Sequence, residues 1–296
     1  DLPVEHALGD LTRPETVQAA MEGIEAVFHT AALLGGGRDE PGRMYAVTVE
    51  GTRAVLQAAR QAGVKRVVHT SSVAALGVPP RAPKGAFPIS LNENHTWNYR
   101  SDYWPYGYAK YLAELEVQRA VAQGLDAVIV NPTLVFGAGD VYRQTSSLVV
   151  LVARQRLPAL VPGGVNAVHI ADVVAGHLAA LERGRRGERY ILGGENLTLA
   201  DLVRKIAAVA GVSAPLVILP AGLARRLVGP LLLVQSYINF PVGVLLLHLA
   251  GMNFYYDGRK ARSELGLTSL RPIDDALREA YAWFQARGTL AKEEEA

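Results

Sequence analysis

The feature that most constrains this chain is an alternation of short apolar runs with longer helical stretches. Residues 26–30 and 64–70 read as buried strands, and residues 127–130 as another, running into Asn131-Pro132. Between them, residues 45–61 and 106–123 carry helical patterns, with Gly63 and Gly124 as stop signals. Strands separated by helices of this length pair in parallel, with the helices as crossovers. Residues 3–8 read as a further strand. Residues 14–21 read as a helix, with Thr12 as its N-cap before Arg13-Pro14.

Beyond residue 140 the pattern changes. Residues 167–170 and 190–192 read as short strands, and residues 198–210 as a helix capped by Thr198 and ended by Gly211. Residues 216–251 are rich in leucine and valine. Arg225, Arg226, Pro230, Gln235, Asn239 and Pro241 interrupt that run, whereas a spanning helix needs about 20 continuous apolar residues. Short helices over a substrate pocket or a partner are the preferred reading. A membrane-surface patch and a true span are the alternatives.

Composition excludes several chemistries. The chain has no cysteine among its 296 residues, so disulfides, thiol catalysis and cysteine–zinc sites are ruled out. Thirty basic residues against 28 acidic ones, without a long basic run, argue against nucleic acid as a partner. The spacing of His29, His69, His169 and His177 matches no metal-ligand pattern, and His169 and His177 read as structural. No signal peptide is read at the start, and the cytoplasm is the expected compartment.

Tyr106 and Lys110 lie four apart on a helical stretch and share a face. A phenol titrates near ~10 and is a poor acid or base at neutral pH. A nearby ammonium favours the phenolate, so the pair is suited to passing a proton to or from a substrate oxygen. His69-Thr70-Ser71-Ser72 follows a strand, where a parallel sheet gathers its active-site loops, and a hydroxyl there can bind a carbonyl or alcohol oxygen. Trp97, Tyr99, Tyr103 and Trp104 crowd the loop before Tyr106, as loop packing or as a wall of the substrate pocket.

Seven segments in order carry a resemblance: Gly9-Asp10-Leu11, Val27-Phe28-His29-Thr30-Ala31-Ala32, Val49-Glu50-Gly51-Thr52, Thr70-Ser71-Ser72, Pro105-Tyr106-Gly107-Tyr108-Ala109-Lys110, Asn131-Pro132-Thr133-Leu134-Val135-Phe136-Gly137 and Val168-His169-Ile170-Ala171-Asp172-Val173. The chain resembles an extended short-chain dehydrogenase/reductase of the NAD-dependent epimerase/dehydratase superfamily. It is most similar to the dihydroflavonol-4-reductase-like branch, near the 3β-hydroxysteroid dehydrogenases and the sugar-nucleotide or hopanoid-associated epimerases. The resemblance implies an α/β fold: a Rossmann-type doubly wound parallel sheet with a smaller, mostly helical C-terminal substrate domain. Residues 1–140 and 165–195 would form the dinucleotide-binding part, and residues 141–164 and 196–296 the substrate-binding part.

It also implies roles. Asp10 and Leu11 would border the adenine, and Ala31 and Ala32 the phosphate–ribose path. Ser72, with Ser71 as understudy, would bind the reacting oxygen. Tyr106 would be the acid/base, and Lys110 would also hold the nicotinamide ribose. Pro132, Thr133, Leu134 and Val135 would flank the nicotinamide amide. The implied activity is hydride transfer between NAD or NADP and a ketone or secondary alcohol on an apolar or sugar-like ring. The alternatives are a sugar-nucleotide epimerase or dehydratase that retains its NAD, and a non-catalytic NAD(P)-sensing protein. A homodimer is expected.

Departures from the family pattern are Thr48 for a usual asparagine, Asn131 for a common arginine, and Ala171 for an aspartate. Leu76 stands where sugar epimerases often have tyrosine, which favours the reductase branch. No glycine-rich turn joins a strand to a helix; Gly35-Gly36-Gly37 leads into Arg38-Asp39-Glu40-Pro41. By resemblance the sequence starts just before the third family strand. The natural protein is therefore expected to be longer by about 40–60 residues, holding the first two strands and the pyrophosphate turn.

Overall fold

In the computed structural model the alternation becomes the succession α1 (Pro14–Ala19), β1 (Ala26–His29), α2 (Pro41–Tyr45), α3 (Gly51–Gln61), β2 (Arg66–Thr70), α4 (Pro105–Ala122), β3 (Ala127–Pro132), β4 (Leu134–Phe136), α5 (Ser147–Ala153), β5 (Gly164–His169), α6 (Ile170–Arg183), β6 (Arg189–Leu192), β7 (Glu195–Thr198), α7 (Leu199–Ala210), α8 (Ala221–Val234), α9 (Arg259–Leu265) and α10 (Ile273–Ala286). The structure describes residues 4–33, 41–81, 87–142, 147–215, 217–234 and 244–290. The chain divides into two compact units. The first is Asp1–Gly77, Thr96–Asn131 and Gly176–Tyr190; the second is Val78–His95, Pro132–Ala175 and Ile191–Ala296.

The first unit is built on the sheet β1-β2-β3-β6, into which β3 and β6 run. The β1–β2 and β2–β3 pairs are parallel, with Val67 opposite both Val27 and Ala127. Strands buried on both faces read as continuous apolar runs, and Val67, Val68, Ala127, Val128, Ile129 and Val130 are all fully buried. Helices α1, α3 and α4 cover one face through Val17, Val55, Leu56, Ala59 and Val117. This is the expected crossover sheet.

Helix α4 starts at Pro105, which suits a first helical position, and carries Arg119 in its last turn. It buries small residues, Ala109 and Ala113, as well as Lys110, Glu114 and Glu116. Polar groups are therefore buried on it and need partners.

Four local expectations change. The helix expected over 45–61 begins at Pro41 and contains a wide π turn at Ala46–Glu50. Thr12 does not cap α1; Arg13 holds the N-cap position, and the Thr12 hydroxyl bonds to Asp10. Pro3 lies outside the described residues, and residues 4–8 form no strand, with Leu8 98% exposed. A strand needs a hydrogen-bonding neighbour, and none pairs with these residues among those described. The expected strand 167–170 is longer, Gly164–His169.

In the second unit β4, β5 and β7 form a separate sheet that the sequence reading did not anticipate. The β4–β5 pair is parallel and β5–β7 antiparallel. Helices α5, α7 and α10 pack around Phe136, Ala167, Leu202, Ile206, Leu277 and Phe284. Thr198 caps α7 by accepting from the Asp201 amide at 3.0 Å, and Gly211 ends it in the left-handed region at φ 67°. Within the leucine-rich stretch lie α8, which contains Pro230, and a 3₁₀ turn at Val244–Leu249; residues 216 and 235–243 lie outside the described residues. No described helix is long and apolar enough to cross a membrane.

Candidate active site

The site grows from the C-terminal end of β2. Ser71 continues the parallel ladder, its amide donating to Val130 O at 2.8 Å. Ser72 then leaves the strand in extended conformation and caps the 3₁₀ turn Val73–Leu76, its hydroxyl accepting from the Ala74 amide at 3.2 Å. That turn packs on the first turns of α4. Gly107 permits the approach: a Cβ there would lie 2.9 Å from Ala74 O and 2.7 Å from the Trp97 ring. The contact brings Tyr106 beside Ser72, whose hydroxyl is close enough to favour the charged form of the phenol.

Lys110, one turn further along α4, is buried and donates its ammonium to Thr70 O at 2.9 Å. The Thr70 hydroxyl in turn meets His177 Nε2 at 2.8 Å. Ser71, Ser72, Tyr106 and Lys110 are thus gathered at one strand end. The Ser71 hydroxyl is buried without a hydrogen-bond partner among the described residues. Tyr106 packs with Leu33, Tyr45 and Leu112 against Met44, Val49 and Ala109.

The titration of the pair differs from the simple expectation. Burial pushes the Tyr106 phenol up to about 12, and the Ser72 hydrogen bond opposes this only in part. Burial pulls Lys110 down to about 8, against the Glu114 charge. The ammonium is engaged with a main-chain carbonyl and does not drive the phenol down.

Behind the ammonium lie two histidines. Burial holds His29 at about 4, with Lys110 adding to the effect. Burial also holds His69 well below its ordinary value, reinforced by His29 and Lys110. The His29 and His69 rings are 5.2 Å apart, and His29 Nε2 lies 2.9 Å from the Thr52 hydroxyl. Thr52 donates to Thr48 O at 2.6 Å, so it accepts from His29. Thr48, in the π turn, accepts the Leu33 amide at 3.3 Å and anchors the loop after β1. That is what the residue in the usual asparagine position does here.

The remaining expected site residues are placed differently. Asp10 is exposed and accepts the Thr12 amide and hydroxyl, both at 2.8 Å; these bonds hold its carboxyl below the ordinary value. Leu11 is half-buried against Gly51 of α3. Ala31 and Ala32 follow β1 outside regular structure, Ala31 exposed and Ala32 half-buried. Pro132, Thr133, Leu134 and Val135 belong to the second unit. There Thr133 donates its amide to Leu192 O at 3.2 Å, and Leu134 and Val135 pair with Ala167 and Val168 in the second sheet. The Trp97 ring lies within 6.3 Å of the rings of Trp104, Tyr108 and Tyr111, and Tyr99 packs on Tyr103. No group of metal-binding side chains occurs among the described residues.

Residues 3–193 match the model of the NAD dependent epimerase/dehydratase family. The chain belongs to that family. Among its relatives is a putative dihydroflavonol 4-reductase of Synechocystis, 34% identical over 97% of this chain and 84% of the relative. Sterol demethylase protein B of Methylococcus capsulatus is 33% identical over 98% and 87%. The crystal structure of gox2253 superposes with a TM-score of 0.82 at 36% identity, covering 97% of this chain and 86% of that one. The parallel sheet with flanking helices is therefore the family's Rossmann-like fold, and the chain is an enzyme of this family.

One part of the site escaped the sequence reading. Asn131, noted only as a departure from the family pattern, donates its side-chain amide to Ser72 O at 2.9 Å and to Glu114 at 2.6 Å. Glu114 also accepts from Arg189 at 3.0 Å. A signal was present: Glu114 follows Lys110 by four residues and shares its helix face.

Proposed function

We propose that this enzyme reduces a ketone to a secondary alcohol, or runs the reverse oxidation, with a nicotinamide dinucleotide. Tyr106 supplies the proton and Ser72 holds the reacting oxygen. The observation that carries this reading is the gathering of Ser72, Tyr106 and Lys110 at the end of β2, with the Lys110 ammonium on Thr70 O at 2.9 Å. A phenol beside a lysine ammonium can pass its proton to a carbonyl oxygen as that oxygen gains charge, the direction of carbonyl reduction. As the carbonyl oxygen gains negative charge, Ser72 donates to it and Tyr106 protonates it. The bound cofactor, NADH or NADPH, supplies the hydride. The residues present fit its nicotinamide end: Ser71 offers a buried hydroxyl without a partner among the described residues, and Lys110 a buried ammonium. Ala31 and Ala32 would border the phosphate–ribose path, and Asp10 and Leu11 the adenine.

The named reductase relative supports reduction, and the sterol-named relative supports an apolar ring as substrate. The family description favours a second reading, epimerisation or dehydration with retained NAD. Incubation with NADH or NADPH and a panel of cyclic ketones, followed at 340 nm, separates the two. Net cofactor oxidation matched by alcohol formation supports reduction. Sugar-nucleotide inversion without net oxidation would replace it. The same reading includes a homodimer through α3 and α4, which light scattering on the purified protein would check.

A further inference from the structure

The side chains that hold the Ser72 turn are not those expected to touch substrate. The Ser71–Ser72 segment is tied to β3 twice: by the Ser71 amide on Val130 O at 2.8 Å, and by the Asn131 side chain on Ser72 O at 2.9 Å. Asn131 is fully buried, and its amide nitrogen faces two acceptors, Ser72 O and a Glu114 oxygen at 2.6 Å. Turning the amide over would set oxygen against oxygen at both, so the orientation is fixed by its surroundings. Glu114 is buried as well. One of its oxygens takes Asn131 and the other takes Arg189 at 3.0 Å, so both have partners in the interior. Its charge lies one helical turn from Lys110 and opposes the loss of the lysine's proton.

We propose that Arg189, Glu114 and Asn131 form a positioning relay that locks the Ser72 turn and keeps a fixed negative charge beside Lys110. This rests on the reading of Ser72, Tyr106 and Lys110 as the reacting set, but the relay is tested without substrate. None of the three is a catalytic residue; each acts through a neighbour. The relay has two separable arms. The Asn131 arm is mechanical, because it donates to a main-chain carbonyl and carries no charge. The Glu114 arm is electrostatic, because Gln at 114 keeps an acceptor for Asn131 while removing the charge.

The test uses the full chain with ¹³C-labelled lysine, Lys110 being assigned through Lys110→Arg, and amide hydrogen exchange in parallel. In Glu114→Gln the Lys110 titration, near about 8 in the parent, should move down by roughly one pH unit, because an opposite charge is lost. Exchange at the Ala74 and Ala75 amides should change little. In Asn131→Ala the titration should hold, while those two amides exchange roughly tenfold faster and Val67 and Val68 stay protected. If Asn131→Ala does not fold, Asn131→Leu fills the same space without a donor and carries the same readout. An unmoved Lys110 titration in Glu114→Gln overturns the electrostatic arm. Unchanged turn exchange, or uniform loosening of β2 with the turn, overturns the mechanical arm. A failure of the proposed reaction would show instead as absent turnover with both of these results intact.

Discussion

Lys110, buried within α4, gives its ammonium to the main-chain carbonyl of Thr70 at 2.9 Å. Its folded pKa of about 8 lies below the ordinary 10.5. Between those pH values the unfolded chain holds a proton that the folded chain has released, so stability rises with pH across that window. At neutral pH the whole burial penalty, on the order of 3 kcal/mol, is present. Lys110→Met should therefore be inactive yet more stable at pH 7 by about 2 kcal/mol, the gain shrinking above pH 8. Urea unfolding at pH 7 and pH 10 measures this; a destabilised variant at pH 7 would refute it.

His29 and His69 make the fold sensitive to acid. Both are held neutral, His29 at about 4 and His69 lower still. Below about pH 6.5 the unfolded chain takes up two protons that the folded chain refuses. Stability should then fall by roughly 2–3 kcal/mol per pH unit until His29 begins to titrate. Neither ring nitrogen of His69 has a hydrogen-bond partner among the described residues, so His69→Leu should fold and roughly halve that slope. Thermal unfolding from pH 7.5 to 5 reports it, and parallel curves for parent and variant would count against the account.

Gly107 sets the distance between the Ser72 turn and α4. A methyl group there would meet Trp97 at 2.7 Å and the Ala74 carbonyl at 2.9 Å, neither of which can retreat freely. Gly107→Ala should cost about 2 kcal/mol by overpacking, although alanine is the better helix former. Tryptophan fluorescence should shift with it, since Trp97 is the ring displaced. Unaltered stability would mean that the turn and helix are not pressed together.

The crossover sheet was legible because its strands are buried on both faces and read as unbroken apolar runs, and because Pro105, Thr198 and Gly211 mark helix ends by strong local chemistry. The second sheet was not. Glu195–Thr198 contains glutamate and asparagine and alternates exposure, so nothing in its composition announces a strand; pairing with β5 makes it one. The π turn at Ala46–Glu50 was hidden because its backbone defect leaves the apolar pattern intact. At the site, Ser72, Tyr106 and Lys110 could be read from local motifs. The Asn131–Ser72 bond joins residues 59 apart, and Arg189 lies 75 from Glu114. Contacts of that separation exist only once the strands are side by side. Spacing likewise places Lys110 near Tyr106 but does not show that Thr70 O takes its ammonium.

In the second unit, Asp172 at the start of α6 is buried and accepts both the Arg271 amide, at 2.7 Å, and the Arg271 guanidinium. Arg271→Ala would leave that carboxylate with the main-chain bond alone. A loss of about 3 kcal/mol is expected, recovered in part by Arg271→Lys. Urea denaturation checks it; a change under 1 kcal/mol would show the pair to be a solvated one.

Replacement of the Tyr106 phenol tests the central claim most directly. Tyr106→Phe retains the ring packed against Met44 and Val49 and removes only the hydroxyl that meets Ser72. Single-turnover reduction of a ketone, with NADH or NADPH binding measured by fluorescence on the same sample, should show hydride transfer slowed by at least about 100-fold. Cofactor affinity should stay within about twofold, since the phenol is lost without a charge. Retention of the parent rate in Tyr106→Phe would contradict the assignment of Tyr106 as the proton donor.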